Sequence, residues 1–403
     1  MNMLFNIEKF IGEKITGRAE SLLSKDLADN YDAIYKEVNN ASVLVIGGAG
    51  TIGSSFIKAL ISYQPRKLVV IDINENGLTE LVRDCRSRND ISLPLDFKSY
   101  PVNFGDKVFE KVFEAEGPFD IVANFAAHKH VRSEKDVFSI EAMIENNVLK
   151  AKKLLDLLLL HPPKHFFCVS TDKAANPVNI MGASKKLMED VILAYSDKLP
   201  ITTARFANVA FSNGSLLAGF IERVMKQQPL SCPNDVKRFF VSPRESGEIC
   251  LSACVLGKSG DIFFPKLDAE RDLVNFADIV SPFLEKLGME ADVCSSEAEA
   301  KDRAANLCSN KYPVFFFTSD TSGEKLYEEF YTDEEELLLD KYHALGVIKN
   351  APRKDSESLD KVIREIEAIF YGEVSKATVV ALLNKLLPNF QHIETGLNLD
   401  QKM

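Results

Sequence analysis

Short apolar runs alternate with amphipathic stretches along the first half of the chain. SVLVI (42–46), KLVVID (67–72), FDIVANFAA (119–127), KHFFCVS (164–170) and ITTARFANV (201–209) are nearly continuous apolar runs, and a weaker one falls near 100–103. Runs of this length, rich in β-branched and aromatic residues, predict strands buried on both faces. Helical patterns separate them at 54–63, about 76–88, about 137–160 and from Met181 onward. Strands joined by helices of this length require right-handed crossovers, and so a parallel sheet covered on both sides. The pattern predicts a doubly wound, Rossmann-like α/β domain over 41–210.

The flanks read differently. Phe5, Phe10, Ile11, Ile15, Leu22 and Leu23 recur at roughly helical spacing among charges. They predict an N-terminal helical extension over 1–40 that packs on the protein rather than on a membrane. Beyond 210 the alternation weakens. Residues 211–403 read as a smaller substrate-binding and C-terminal helical region, with the chain free to cross back between the two parts. One strand-like run, PVFFFTSD (313–320), stands out there. TDEEEL (332–337) reads as a solvated helix start, where acids favour the helix dipole.

Charge narrows the class of partner. Asp and Glu number 59 against 48 Lys and Arg, a net charge of −11, which argues against nucleic acid or an anionic membrane as main partner. The seven cysteines (Cys85, Cys168, Cys232, Cys250, Cys254, Cys294, Cys308) form no Cys-x-x-Cys and are odd in number. Neither a disulfide framework nor a structural zinc is expected. Glu8 and Glu13 interrupt the apolar N-terminus, which does not read as a signal peptide, and no stretch reaches the roughly 20 apolar residues of a membrane span. A cytoplasmic, reduced protein is expected.

The first strand runs into Gly47-Gly48-Ala49-Gly50-Thr51-Ile52-Gly53, and a helix follows. Gly47 permits the tight turn, Gly50 lets a pyrophosphate approach the backbone, and Gly53 lets helix and strand pack closely. Free N–H groups at the helix start, from Thr51 and Ile52 onward, then face phosphate. The second strand ends in Asp72, placed to accept hydrogen bonds from an adenosine ribose and to repel a 2′-phosphate; no Arg follows it. NAD is therefore expected in preference to NADP. Asn103 and Phe104 are placed to edge the adenine, although Asn at a strand end is also a common turn residue.

The fifth strand ends in Ser170-Thr171-Asp172-Lys173, polar groups where a doubly wound sheet opens its ligand crevice. Met181-Gly182-Ala183-Ser184-Lys185 follows. With the glycine turn, these motifs resemble the extended short-chain dehydrogenase/reductases. AAHKHV (126–131), STDKAANPVNIMGASK (170–185) and RFANV (205–209) closely resemble the nucleotide-sugar 4,6-dehydratases of polysaccharide biosynthesis, over about 42–285. TSGEK (321–325) is suspected as a family feature.

The resemblance implies a reaction. NAD⁺ takes a hydride from C4 of a UDP-linked N-acetylhexosamine, UDP-N-acetylglucosamine above all. The resulting ketone acidifies C5, water is lost across C5–C6, and the hydride returns to C6. It implies Asp172 as acid for the C6 hydroxyl and Lys173 as base for C5, each in its less usual protonation state, which a closed site that raises Asp172 and lowers Lys173 would provide. It implies Lys185 on the nicotinamide ribose, Thr171 on O4, and Ala126 and Ala127 against the cofactor. For the substrate it implies His130, Met181, Asn208 and Arg238, the last on phosphate. Met181 stands where the wider superfamily has the tyrosine that takes the O4 proton; a thioether cannot accept it, and Asp172, Lys173 or a water beside Lys185 are the alternatives.

His128 and His130 flank Lys129 without a third metal ligand, so no metal is expected. Asn147 reads either as a tie between sheet and active-site loop or as an ordinary polar helix position. Lys237 and Arg244 are further cations near Arg238. The helices near 137–160 and 181–197 are expected to expose apolar faces that pair in a homodimer or larger assembly, as in the superfamily. A nucleotide-sugar 4- or 5-epimerase on the same fold, or a non-catalytic dinucleotide-binding protein, are the competing readings. A 4-epimerase needs the O4 base that position 181 lacks.

Overall fold

The computed structural model describes residues 5–307, 310–320, 323, 325, 327–372 and 374–394. Cys308 and most of TSGEK (Thr321, Ser322 and Glu324) lie outside the described residues.

The main sheet has nine strands, in the order 337–338, 345–348, 262–265, 201–204, 165–169, 121–124, 42–46, 67–71, 96–100. From Ile262–Pro265 to Asp96–Tyr100 every pairing is parallel, with Val45 beside Val70 and Ile46 beside Asn124. The two C-terminal strands add an antiparallel edge. The central strands are buried throughout because helices cover both faces, as their unbroken apolar runs require. The chain steps outward in one direction through its first three strands and in the other from Ile121–Asn124 onward. That reversal opens the ligand crevice at the strand ends of Ser42–Ile46 and Ile121–Asn124.

Two three-stranded sheets form the smaller region, 273–275 with 237–241 and 208–209, and 290–294 with 311–317 and 230–233. A second core of Phe10, Phe211, Phe220, Phe283 and their neighbours lies beneath them.

Several elements differ from the sequence expectation. The N-terminal extension is three short helical pieces rather than one helix, and Gly17 turns the chain with φ +66°. Phe10, Ile11 and Ile15 join the second core, while Leu23, Ile34 and Val38 join the main one, so the extension bridges both. Arg18 anchors it with a two-point bond to Glu245 (2.8 and 2.9 Å). The third strand is Asp96–Tyr100, ending where 100–103 was expected to begin. The sixth run splits: Ile201–Ala204 stays in the main sheet and Asn208–Val209 joins a smaller one. The break falls at Arg205, whose guanidinium is bound by carboxylates from two other segments.

TDEEEL is a turn and not a helix start. Glu335 folds back onto the amide of Thr332 and reaches the buried Arg205. The pairing faces expected at 137–160 and 181–197 are only partly open. Phe138 and Leu160 are exposed, but Ile180–Ala194 is buried almost all round, with the C-terminal helices Ser356–Phe370 and Lys376–Leu386 packed against it.

Candidate active site

The glycine turn is shaped by contact. Gly47 has φ +76°, and a Cβ there would fall 2.5 Å from the Ala126 backbone nitrogen. A Cβ on Gly53 would meet the Gly47 carbonyl at 2.3 Å. Both positions exclude a side chain. Helix Thr51–Ile61 starts at Gly50 with no side chain capping its first turn, leaving those N–H groups for a ligand. The Thr51 hydroxyl accepts a bond from Asn213 N (3.0 Å), which ties the turn to the smaller region.

Gly47, Gly50, Asp72, Asn103, Phe104, Ala126, Ala127 and His128 line one crevice of about 390 Å³. Asp72 accepts from Ala49 N and Asn74 N (both 2.9 Å), so the expected ribose acceptor also fixes the turn. Asn103 accepts from Gly105 N (2.9 Å), and Phe104 is buried. The structure thus gathers these sequence-predicted residues at the switch point of the sheet. An uncapped helix start, a turn without room for a Cβ and a carboxylate at the second strand end fit a dinucleotide.

Asn147 lies in a π-helical turn, Glu145–Leu149, inside the long helical segment. Its side chain accepts from His128 N and donates to His128 O (both 2.9 Å), and also donates to Ser184 Oγ (3.0 Å). It therefore ties the loop after the fourth strand to helix Ile180–Ala194. A π-turn re-aims one side chain in this way.

The second part of the site is a cavity of about 210 Å³ whose lining includes Lys173, Asn208, Arg238 and Glu328. Thr171 caps the short helical turn Asp172–Ala174 and donates to Asp172 Oδ1 (2.8 Å). The same oxygen accepts from Lys173 N (2.9 Å) and Lys173 Nζ (3.2 Å). Asp172 is buried behind the wall. Lys173 Nζ also lies 3.4 Å from Glu328 Oε1.

This geometry corrects one expectation. Burial alone lowers the Lys173 pKa, but the charges of Asp172 and Glu328 outweigh it, and the pKa is raised. Sequence reasoning missed Glu328. It is 4% exposed, and burial pushes its carboxyl upward, aided by Asp172 and opposed by Lys173, Arg238 and Lys325. No motif marks it; it comes from the loop after strand Lys311–Phe317.

The remaining candidates divide. Arg238 donates to the carbonyls of Lys237 and Lys325 (2.8 and 2.9 Å) at the cavity wall. Lys237 is exposed and Arg244 pairs with Glu248 at the surface, so of the three cations Arg238 belongs to the cavity. His130 stands against Gly214, where a Cβ would lie 2.8 Å from its ring. Burial, then the charges of Lys129, Arg132 and His128, lower its pKa. Met181 is buried beneath the site, and its N–H donates to Glu134 (3.2 Å). Lys185 is buried and donates to the Val169 carbonyl (2.7 Å); burial lowers its pKa. Among the described residues, no His, Cys, Asp or Glu group of three or more is placed to hold a metal.

Comparisons with known proteins agree with this architecture. The family model described as "Polysaccharide biosynthesis protein" matches residues 43–350. Among curated relatives, the uncharacterized membrane protein MJ1061 of Methanocaldococcus jannaschii is 28% identical over 83% of this chain and 99% of its own. The probable polysaccharide biosynthesis protein EpsC of Bacillus subtilis is 24% identical over 83% of this chain, which spans only 54% of EpsC. Among solved structures, Pen from Bacillus thuringiensis has a TM-score of 0.63 at 20% identity, covering 87% of this chain and 98% of Pen. DesIV, a dTDP-glucose 4,6-dehydratase from Streptomyces venezuelae, has a TM-score of 0.55 at 18% identity, covering 73% of this chain and 89% of DesIV. At these identities the structures share the fold. Among the described residues no helix is long and apolar enough to cross a membrane.

Proposed function

The chain belongs to the polysaccharide biosynthesis protein family, and on that premise we propose that it is an NAD-dependent nucleotide-sugar 4,6-dehydratase, with UDP-N-acetylglucosamine as substrate. The observation that carries this reading is Lys173, half-buried between two buried carboxylates at the wall of a cavity that also holds Arg238. Water loss from a sugar needs a base and an acid at one edge of the ring, and this cluster supplies both.

Gly47, Gly50 and the N–H groups of Thr51 and Ile52 would hold the pyrophosphate, with Asp72 on the adenosine ribose. When bound, the dinucleotide supplies the transient oxidation at C4 that acidifies C5. Lys173 takes the C5 proton, and a carboxyl beside it protonates the C6 hydroxyl; the resemblance gives that role to Asp172. Thr171 orients O4. Arg238 and Asn208 bind the substrate, with Arg238 on a phosphate, where its planar fork suits bidentate contact. DesIV, on the same fold, is itself a 4,6-dehydratase. Met181 weighs against a 4-epimerase, which needs a proton acceptor at that position.

Incubation with UDP-N-acetylglucosamine tests the assignment. The expected product is a 4-keto-6-deoxy sugar, detected by its near-ultraviolet absorbance in alkali. A C4 epimer would assign an epimerase, and unchanged sugar would remove the enzyme reading.

A further inference from the structure

We propose that Glu328 is the acid of the elimination, exchanging its proton with Lys173, and that Asp172 holds Lys173 in place. This rests on the dehydratase reading above. Asp172 is buried behind the cavity wall, and its Oδ1 accepts three hydrogen bonds, one of them from the backbone of Lys173. Glu328 lines the cavity itself, 3.4 Å from Lys173 Nζ. It arrives from a distant segment and makes no bond to the Asp172–Ala174 turn except through Lys173. The charged groups facing it are Lys173, Asp172, Arg238 and Lys325. Its raised pKa suits a carboxyl that carries a proton.

The proton count of the elimination step closes without another donor. At rest Lys173 is an ammonium and Glu328 a carboxylate. One proton crosses to Glu328, leaving a free amine and a carboxylic acid. Once C4 is a ketone, the amine takes the C5 proton, the C5–C6 double bond forms and the C6–O bond breaks. Glu328 gives its proton to the departing oxygen, which leaves as water. Ammonium and carboxylate are restored together. The proton that leaves in water comes from Lys173 by way of Glu328, the C5 proton replaces it on Lys173, and Asp172 stays an acceptor throughout.

The test compares Glu328→Gln with Asp172→Asn in the full chain, using UDP-N-acetylglucosamine in heavy water. In Glu328→Gln, loss of the acid lowers water loss at least 100-fold. Loss of a neighbouring negative charge also frees the Lys173 amine, so exchange of the C5 hydrogen for deuterium continues. Glu328→Asp restores part of the water loss. Wild-type elimination in Glu328→Gln overturns the proposal, as does loss of C5 exchange together with elimination, which marks a structural or binding role. Abolition by Asp172→Asn alone returns the acid to Asp172. If the wild-type chain forms no 4-keto-6-deoxy product, the dehydratase reading itself has failed, and that arm is read separately.

Discussion

Lys173 shows how far single residues can be judged from their neighbours in the chain. An adjacent acid and base are visible in sequence, but the charge state of each depends on what folds against them. Two carboxylates now keep Lys173 protonated at rest. Lys173→Ala is expected to lower elimination by a factor of about 100 to 10,000 while leaving dinucleotide affinity unchanged, as measured by product absorbance and by titration calorimetry. Equal loss of affinity would place Lys173 in binding instead. Asp72 makes a separate prediction. Because it holds Ala49 and Asn74 as well as facing the crevice, Asp72→Ala should weaken NAD about tenfold or more and narrow any preference over NADP. Paired NAD and NADP binding curves would check this.

Elements with local periodicity were legible, and those defined by distant partners were not. The glycine turn, its flanking strand and helix and the polar fifth-strand end lie in contiguous stretches whose spacing carries the chemistry. The 201–209 run was misread as one strand because its interruption comes from elsewhere. Arg205 is fully buried, bonded through two nitrogens to Glu189 (2.9 and 2.8 Å), through two to Glu335 (both 2.9 Å), and to the Phe330 carbonyl (3.1 Å). The same contacts turn an acidic cluster that looked solvated into a clamp, and they fix the chain two residues beyond Glu328. Removing one partner of such a cluster leaves a buried charge, so Arg205→Met should cost about 3–5 kcal/mol by denaturant unfolding. Burial raises the Glu189 pKa, but Arg205, Lys186 and Ser170 together hold it down at about 2, below the unfolded value of 4.5. A depressed carboxyl stabilises the fold above its unfolded pKa and loses that contribution as pH falls toward its folded one. Between pH 4.5 and about 2, stability should therefore drop by about 3 kcal/mol on this group's account. The slope in acid titrations of stability should be shallower in Arg205→Met.

Across the whole molecule, the C-terminal region closes the site that the Rossmann half begins. Besides delivering Glu328, the chain returns as an extended segment over the loop that follows Lys173. Gln391 N donates to Pro177 O (3.2 Å) and Ile393 N to Val178 O (2.9 Å). Ile393 O accepts from Gly323 N (2.9 Å), and Asn179, the cap of helix Ile180–Ala194, donates to Gly323 O (2.7 Å). His392 lies 3.2 Å from Glu134, the same carboxylate that receives the Met181 N–H. The strap thus bonds the loop just before the helix start that follows Lys173, and reaches the first turn of that helix through Glu134. A short extended segment has no periodic signature, which is why its role was invisible in the sequence. Ile393 is 39% exposed, so its packing is a minor part of its role and its backbone bonds are the larger one. Ile393→Pro deletes the bond to Val178 and keeps the carbonyl that Gly323 uses. One lost hydrogen bond of about 1 kcal/mol should loosen the loop and lower turnover about fivefold, with dinucleotide affinity unchanged and the thermal midpoint moved by only a few degrees. Steady-state rates beside calorimetric melting separate the outcomes. A fall in the midpoint with turnover intact would make the strap a stabiliser of the fold and nothing more.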